Sequence, residues 1–181
     1  DSRVAYAGSN DGLVFRSADN GLTWADISGA LPQASVNDVA GDPGDPERAL
    51  AVLGGFNRPH LWEWTVARGT WVALGDGLPN VPANTVLMKT SSEIFVGTDI
   101  GIFRSLDGGA TFEPFMDGLP EGLVVTDLHF GRTHNVISAG TYGRGAYQVS
   151  VEPPGPMVMF DSLVLPLSPV DGDGDANVEP G

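Results

Sequence analysis

The chain has 181 residues, the size of one domain or of part of one, and its 41% apolar and 18% charged residues mark it as globular rather than disordered. A formal charge of −14 with only 9 Lys and Arg argues against nucleic acid and against an anionic membrane surface as partners, because little is present to neutralise phosphate. With no cysteine, disulfides and Cys-ligated metals are excluded, and no apolar run approaches the roughly 20 residues of a membrane helix.

From the N-terminus, the opening DSRVAYAG lacks the basic head and apolar core of a secretory leader. It leads into short strand-like segments, VAYAG, LVFRS and LTWADI, each β-branched or aromatic and bounded by Gly, Asp, Asn or Pro. The next group is VNDVAG, ALAVLG, LWEWTV and TWVAL. The third is TVLMKT, IFVG, GIFRS and TFEPF, and the last is VVTDLHF, VISAG and GAYQVS. The 25 Gly and 14 Pro punctuate these segments, and helix-forming Lys, Gln and Glu are scarce. After residue 151 the character changes. VEPPGPMVMFDSLVLPLSPV is proline-punctuated, with an apolar part at residues 157–167 that suits a strand packed on something else, and DGDGDANVEPG follows.

The groups are copies of one unit. VAYAGSNDGLVFRS matches IFVGTDIGIFRS almost letter for letter, VISAGTYGRGAYQVS is a third copy, and ALAVLGGFNRPHLWEWTV is a looser one with a longer central loop. Trp24, Trp71 and Phe112 recur 47 and 41 residues apart, in segments that end ISGALP, LGDGLP and FMDGLP. Four antiparallel strands, lettered A to D, in a period of about 40–50 residues are the blade of a β-propeller. One such sheet cannot bury its faces alone and must stack on its neighbours. The expected fold is all-β, with about three and a half blades over residues 3–32, 33–79, 80–120 and 121–151, and a Pro-rich linker and extended acidic tail over 152–181. The first blade lacks strand A and the last lacks strand D, and a ring of about six to eight blades would not be sealed by these. A piece of a longer propeller is therefore expected, its remaining blades supplied by the same protein or by another chain.

Two stretches, SADNGLTW at residues 17–24 and SLDGGATF at 105–112, fit S-x-D-x-G-x-T-[WF]. They resemble the Asp-box, or BNR, repeat of sialidases, sortilin-type receptors, xyloglucanase-type glycosidases and many bacterial surface propellers. GTYGRGAY at 140–147 resembles the closing-blade motif of bacterial sortilin-like members. The likeness covers residues 3–151. The middle blade departs from it, since VARGTW places Ala67 where a box needs its Asp. Physically, a box staples the C–D hairpin. Asp19 and Asp107 are placed to accept backbone N–H groups within the turn, and Gly21 and Gly109 to supply positive φ. Ser17, Ser105, Thr23 and Thr111 are placed to tie the strand ends, with Trp24 and Phe112 packing beneath. The resemblance puts the box on the outer rim, away from the ligand face, so these residues are expected to be structural rather than catalytic.

The ligand face of a propeller carries the B–C loops and the D–A connections; the B–C loops here are SNDG, GFNRPH, TDIG and TYGRG. They place Asp11, Arg58, His60, Asp99, Tyr142 and Arg144 on one rim: carboxylates, guanidiniums and an aromatic platform suited to a sugar ring. Read conservatively, Asp11 and Asp99 are turn residues and Arg144 pairs with an acid of a neighbouring blade. GFNRPH breaks the length rule of the repeat, and such loops carry function more often than regular ones. It therefore gives the leading contact candidates, Arg58 and His60. A sialidase would need three clustered arginines, and a glycosidase two carboxylates at a set separation. Asp11 and Asp99 are the candidates of the right type for catalysis. No nucleophile elbow or phosphate loop is present, and His129 and His134 are scattered.

In the tail, Asp171, Asp173, Asp175 and Asn177 stand at alternate positions, as do ligands 1, 3, 5 and 7 of a calcium loop. Ala176 replaces the loop glycine, so a calcium linker or an acidic spacer is expected rather than a full EF loop. Such segments resemble the junctions before β-sandwich modules in bacterial secreted proteins. The leading functional expectation is an extracellular or cell-surface, bacterial or archaeal, non-catalytic binding or scaffold propeller for a glycan or protein ligand. Part of a glycoside hydrolase, or a structural subunit of a surface assembly, are the alternatives.

Overall fold

Consecutive apolar residues, as in RALAVL and IFVGT, suit strands buried on both faces. The computed structural model, which describes residues 3–151, places them that way. Among the described residues there is no helix, and the strands form four antiparallel sheets in simple up-and-down order. The first sheet holds β1 (Ala5–Gly8), β2 (Val14–Ser17) and β3 (Ala25–Asp26). The second holds β4 (Val36–Gly41), β5 (Arg48–Leu53), β6 (Leu61–Thr65) and β7 (Trp71–Leu74). The third holds β8 (Ala83–Met88), β9 (Ile94–Thr98), β10 (Gly101–Ser105) and β11 (Glu113–Pro114). The fourth holds β12 (Val125–Gly131), β13 (Val136–Thr141) and β14 (Ala146–Ser150). These are four blades of a β-propeller, two of them with three strands among the described residues. The inner strands adjoin one another: β4 packs on β8, and β8 on β12.

The apolar core is divided by the sheets into three layers. Val14, Val36, Ala51, Leu53, Trp64 and Trp71 fill the space between the first and second sheets. Leu50, Val52 and Leu61 meet Val86, Ile94, Val96, Phe103 and Phe112 between the second and third. Phe95 and Ile102 meet Leu123, Val125, Leu128, Ile137 and Ala139 between the third and fourth. Alternate residues of β5 and β9 thus serve opposite layers, which is why those strands show no polar face. Each D–A connection adds a pair of apolar residues spaced by four to the layer that follows. Ile27 and Leu31 enter the first layer, Leu74 and Leu78 the second, Phe115 and Leu119 the third. The recurring Leu-Pro of the sequence is therefore a key between blades.

Every A strand carries a bulge at the same place, between Val36 and Asp38, Ala83 and Thr85, Val125 and Asp127. A bulge re-aims the extra side chain. Asn37 Nδ2 donates to Ala83 O of the next sheet at 2.8 Å, and Asn84 Nδ2 donates to Val125 O at 3.1 Å. Asp38 reinforces the first of these steps by accepting from Thr85 Oγ1 at 2.9 Å and Val86 N at 3.0 Å.

Two expectations need adjustment. The D strands of the first and third sheets are shorter than LTWADI and TFEPF suggest, because the boxes take up their first residues. Phe112 is buried beneath its loop as expected, whereas Trp24 is 46% exposed, since no sheet covers that side among the described residues. The candidate calcium ligands Asp171, Asp173, Asp175 and Asn177 lie outside the described residues.

Candidate functional site

The two boxes are the same structure twice. Ser17 Oγ donates to Asp19 Oδ1 at 2.8 Å and accepts from Gly21 N at 2.8 Å; Thr23 donates to Asp19 from its amide at 2.9 Å and its hydroxyl at 2.6 Å. In the other, Ser105 Oγ donates to Asp107 Oδ1 at 2.7 Å and accepts from Gly109 N at 2.9 Å, and Thr111 donates to Asp107 at 2.9 and 2.6 Å. The Thr hydroxyl, then the Thr amide and the Ser hydroxyl, stabilise the ionised form of each aspartate, and the pKa of Asp19 and of Asp107 falls to about 2. A carboxylate whose ionised form is held this way is a poor general acid, since its proton is lost far below neutral pH. The turn of the second sheet, lacking the Asp, closes instead by Gly69 N to Thr65 O at 2.9 Å.

The expected ligand rim divides. The GFNRPH loop opens with Gly55 at φ 91° and turns again at Asn57, φ 59°. This places Arg58 and His60 in the wall of an open cleft of about 710 Å³ between the second and third sheets. The rest of the cleft comes from the connection after β7, through Asp76, Leu78, Pro79 and Asn80, and from Ala110 of the third-sheet box. That box therefore reaches the cleft, because the connection after β7 pairs with its backbone, Asp76 N donating to Ala110 O at 3.1 Å. Asn80 fixes the loop: its Oδ1 accepts from Asn57 N at 2.5 Å and its Nδ2 donates to Asn57 Oδ1 at 2.9 Å.

His60 is 4% exposed. Its Nδ1 lies 3.2 Å from Leu53 O, a carbonyl that can only accept, so Nδ1 is the donor of that contact. Its Nε2 is buried and meets no partner, and so is Arg58 Nε, while Arg58 Nη1 reaches Gln33 O at 3.4 Å. Two unmatched ring and guanidinium nitrogens on one short loop are features a polar ligand would satisfy.

The remaining candidates stand apart from the cleft. Asp11 accepts from Ser9 Oγ of its own turn. Asp99 accepts from Asn84 Nδ2 at 2.9 Å, behind the bulge that ties the third sheet to the fourth. Tyr142 is 79% exposed, and Arg144 is exposed and makes no ion pair among the described residues. Asp11 and Asp99 belong to the first and third sheets, and each is engaged within its own sheet. Among the described residues, each carboxylate whose pKa is displaced, Asp19, Asp26, Asp42, Glu63 and Asp107, is displaced downward, opposite to the shift a general acid needs. Among the described residues no group of three or more His, Asp or Glu is placed to hold a metal.

A cluster the sequence did not announce lies at the opposite end of the second sheet. Arg48 donates from Nε to Glu63 Oε1 at 2.7 Å and from Nη1 to Asp42 Oδ2 at 2.9 Å. It also reaches the third sheet at Ser91 O (2.7 Å) and Gly108 O (2.6 Å). Burial alone would raise the pKa of Asp42. Hydrogen bonds from Ser91 at 2.7 Å, Gly44 and Arg48 outweigh it and hold the carboxyl below its ordinary range. Repeat alignment gives the one available signal: the pair Arg48–Glu63 becomes Glu93–Arg104, charge-reversed, in the next sheet.

No family model and no curated protein matches the chain. Solved structures do. A GH74 enzyme of Niastella koreensis is 19% identical with a TM-score of 0.60, over 82% of this chain and 26% of that one. The extracellular domain of a putative hybrid two-component system, BT4673 of B. thetaiotaomicron, is 20% identical with a TM-score of 0.66, over 87% and 20%. YCF48, solved bound to a D1 peptide, is 14% identical with a TM-score of 0.61, over 84% and 50%. The chain spans about a quarter of the length of the GH74 enzymes it matches. At these identities the likeness is one of fold, and the chain is a β-propeller segment.

Proposed function

We propose that the chain is part of a non-catalytic binding propeller of an extracellular or cell-surface protein, bacterial or archaeal, that recognises a glycan or protein at its B–C loop end. The observation that carries this reading is the cleft between the second and third sheets, with Arg58 Nε and buried His60 Nε2 unmatched in its wall. Its apolar sides, Leu78, Pro59 and Pro79, suit the hydrophobic face of a sugar ring or of a side chain. The two boxes support kinship with Asp-box propellers through their shared hydrogen-bond scheme. The glycoside hydrolase alternative finds less support, because Asp11 and Asp99 are engaged in separate sheets. Immobilised oligosaccharides and peptides screened against the chain test the reading. A hit should weaken at least about tenfold in Arg58→Ala, the scale of a contact at the centre of a site, with unchanged thermal melting. A hit that keeps full affinity in both Arg58→Ala and His60→Gln would place the site elsewhere.

A further inference from the structure

The third-sheet box does more than staple its own hairpin. The connection leaving β7 runs along it and pairs with its backbone. Gly75 N donates to Gly109 O at 3.1 Å, Asp76 N to Ala110 O at 3.1 Å, and Phe112 N donates back to Asp76 O at 2.8 Å. Asp76 and Thr111 thereby form a parallel bridge. The fit is close: a Cβ on Gly77 would lie 2.4 Å from Phe112 O, and Gly77 holds φ at 85°. Leu74 and Leu78, on either side of this contact, enter the layer that holds Phe112.

The first-sheet box has the same internal bonds and presents the corresponding groups to solvent. Register equates Gly21 with Gly109, Leu22 with Ala110 and Trp24 with Phe112. No acceptor stands opposite the Trp24 amide among the described residues, and Gly21 O takes the indole N–H of Trp24 at 3.1 Å instead. Leu22 is 83% and Trp24 46% exposed, against 5% for Phe112. The rest of this face, Ala5, Ala7 and Phe15, corresponds to Ile94, Val96 and Phe103 of the receiving face of the third sheet.

We propose that the first-sheet box, residues 17–24, is a docking site for the outer connection of another sheet of this repeat, a segment of the form apolar-x-Asp-Gly-Leu-Pro. The occupant's Asp pairs with Leu22 and Trp24 as Asp76 pairs with Ala110 and Phe112, and its two apolar residues cover Trp24 and Phe15. A second copy of this chain is a poor occupant, because each connection of this form already serves the sheet that follows it. The inference is independent of what the cleft binds.

Hydrogen exchange by NMR tests it. In the 181-residue chain the Phe112 amide should exchange at least about tenfold more slowly than the Trp24 amide, as a hydrogen-bonded group does beside an open one. Equal rates would overturn the proposal. So would protection at Trp24 that grows with protein concentration, since the occupant would then be a second copy. Repeating residues 33–92 ahead of Val4 supplies such a sheet in register. The Trp24 amide should then become protected to the level of Phe112, and Gly77→Val within the repeated segment should remove that protection while the repeated strands stay protected. A folded repeat beside an unprotected Trp24 would also overturn the proposal.

Discussion

Asp107 shows what a single side chain contributes to this fold. Its two oxygens take the hydroxyl and amide of Thr111 and the hydroxyl of Ser105, and the Thr111 hydroxyl is the largest cause of its low pKa. Removing that hydroxyl in Thr111→Val should move the Asp107 titration, followed by carboxyl carbon NMR, from about 2 toward the ordinary Asp value of about 3.9, with Asp19 unmoved. The sign for stability follows. A folded-state pKa below the unfolded one gives stability that is complete above about pH 4 and is lost as pH falls toward 2. Thermal melting of the wild type should therefore drop through that window, and by less in Thr111→Val. Gly97 makes a different residue-scale argument. A Cβ there would meet Thr85 Cγ2 and Val125 Cγ1 at 2.7 Å, where two sheets approach. Gly97→Ala should destabilise by about 1–3 kcal/mol in urea unfolding, the usual cost of overpacking. The box residues were legible from sequence because their spacing is local and repeated. The burial of His60 and its Nδ1 contact were not, since they depend on the carbonyl of Leu53 across the β5–β6 turn.

At the scale of elements, the strands follow the sequence closely because their signal is simple: β-branched and aromatic runs between glycines. The Leu-Pro keys were visible as repeats, but their insertion into the following layer needs the register of two sheets. The Arg48 cluster was hidden for the same reason. Its partners Asp42, Glu63, Ser91 and Gly108 come from four separate segments. Its guanidinium is 12% exposed, with the Asp42 side chain fully buried and that of Glu63 at 15%. Truncating one partner of such a set strands the others without solvent. Arg48→Ala should cost about 3–5 kcal/mol, the range for breaking a buried pair, with the loss concentrated at the contact of the second and third sheets. Hydrogen exchange should then rise first at Gly108 and in the residue 89–93 turn. Uniform acceleration across all four sheets would mean that the blades unfold as one unit and that Arg48 is not a local tie. The cleft was half legible at this scale. The irregular length of GFNRPH pointed to Arg58 and His60, and Asp76 and Asn80 belong to a D–A connection of the same face, whereas Ala110 lies on a box expected on the outer rim and joins them only in the folded structure.

For the whole molecule, the blades are tied in series by three layers, so each sheet depends chiefly on its neighbours. The charge of −14 spreads over a chain with few cations, and the tail adds to it at one end. Asp171, Asp173 and Asp175 stand within five residues of one another, with Asn177 and Glu179 beyond. Carboxylates this close repel, and a hard divalent cation relieves the repulsion while the glycines between them let the backbone wrap. Magnesium gives up its water reluctantly and holds an octahedral shell, so calcium is the better match for a run of carboxylate and amide oxygens. We expect calcium to bind weakly, in the range of about 10⁻⁴–10⁻³ M, because Ala176 stands where an EF loop has its glycine. Calorimetry at millimolar calcium should give heat with the wild type and much less with Asp173→Ala. The melting temperature of the propeller should be the same with and without the ion, because among the described residues no group of three or more His, Asp or Glu is placed to hold a metal. Equal heats from both proteins would identify the aspartates as a solvated acidic spacer.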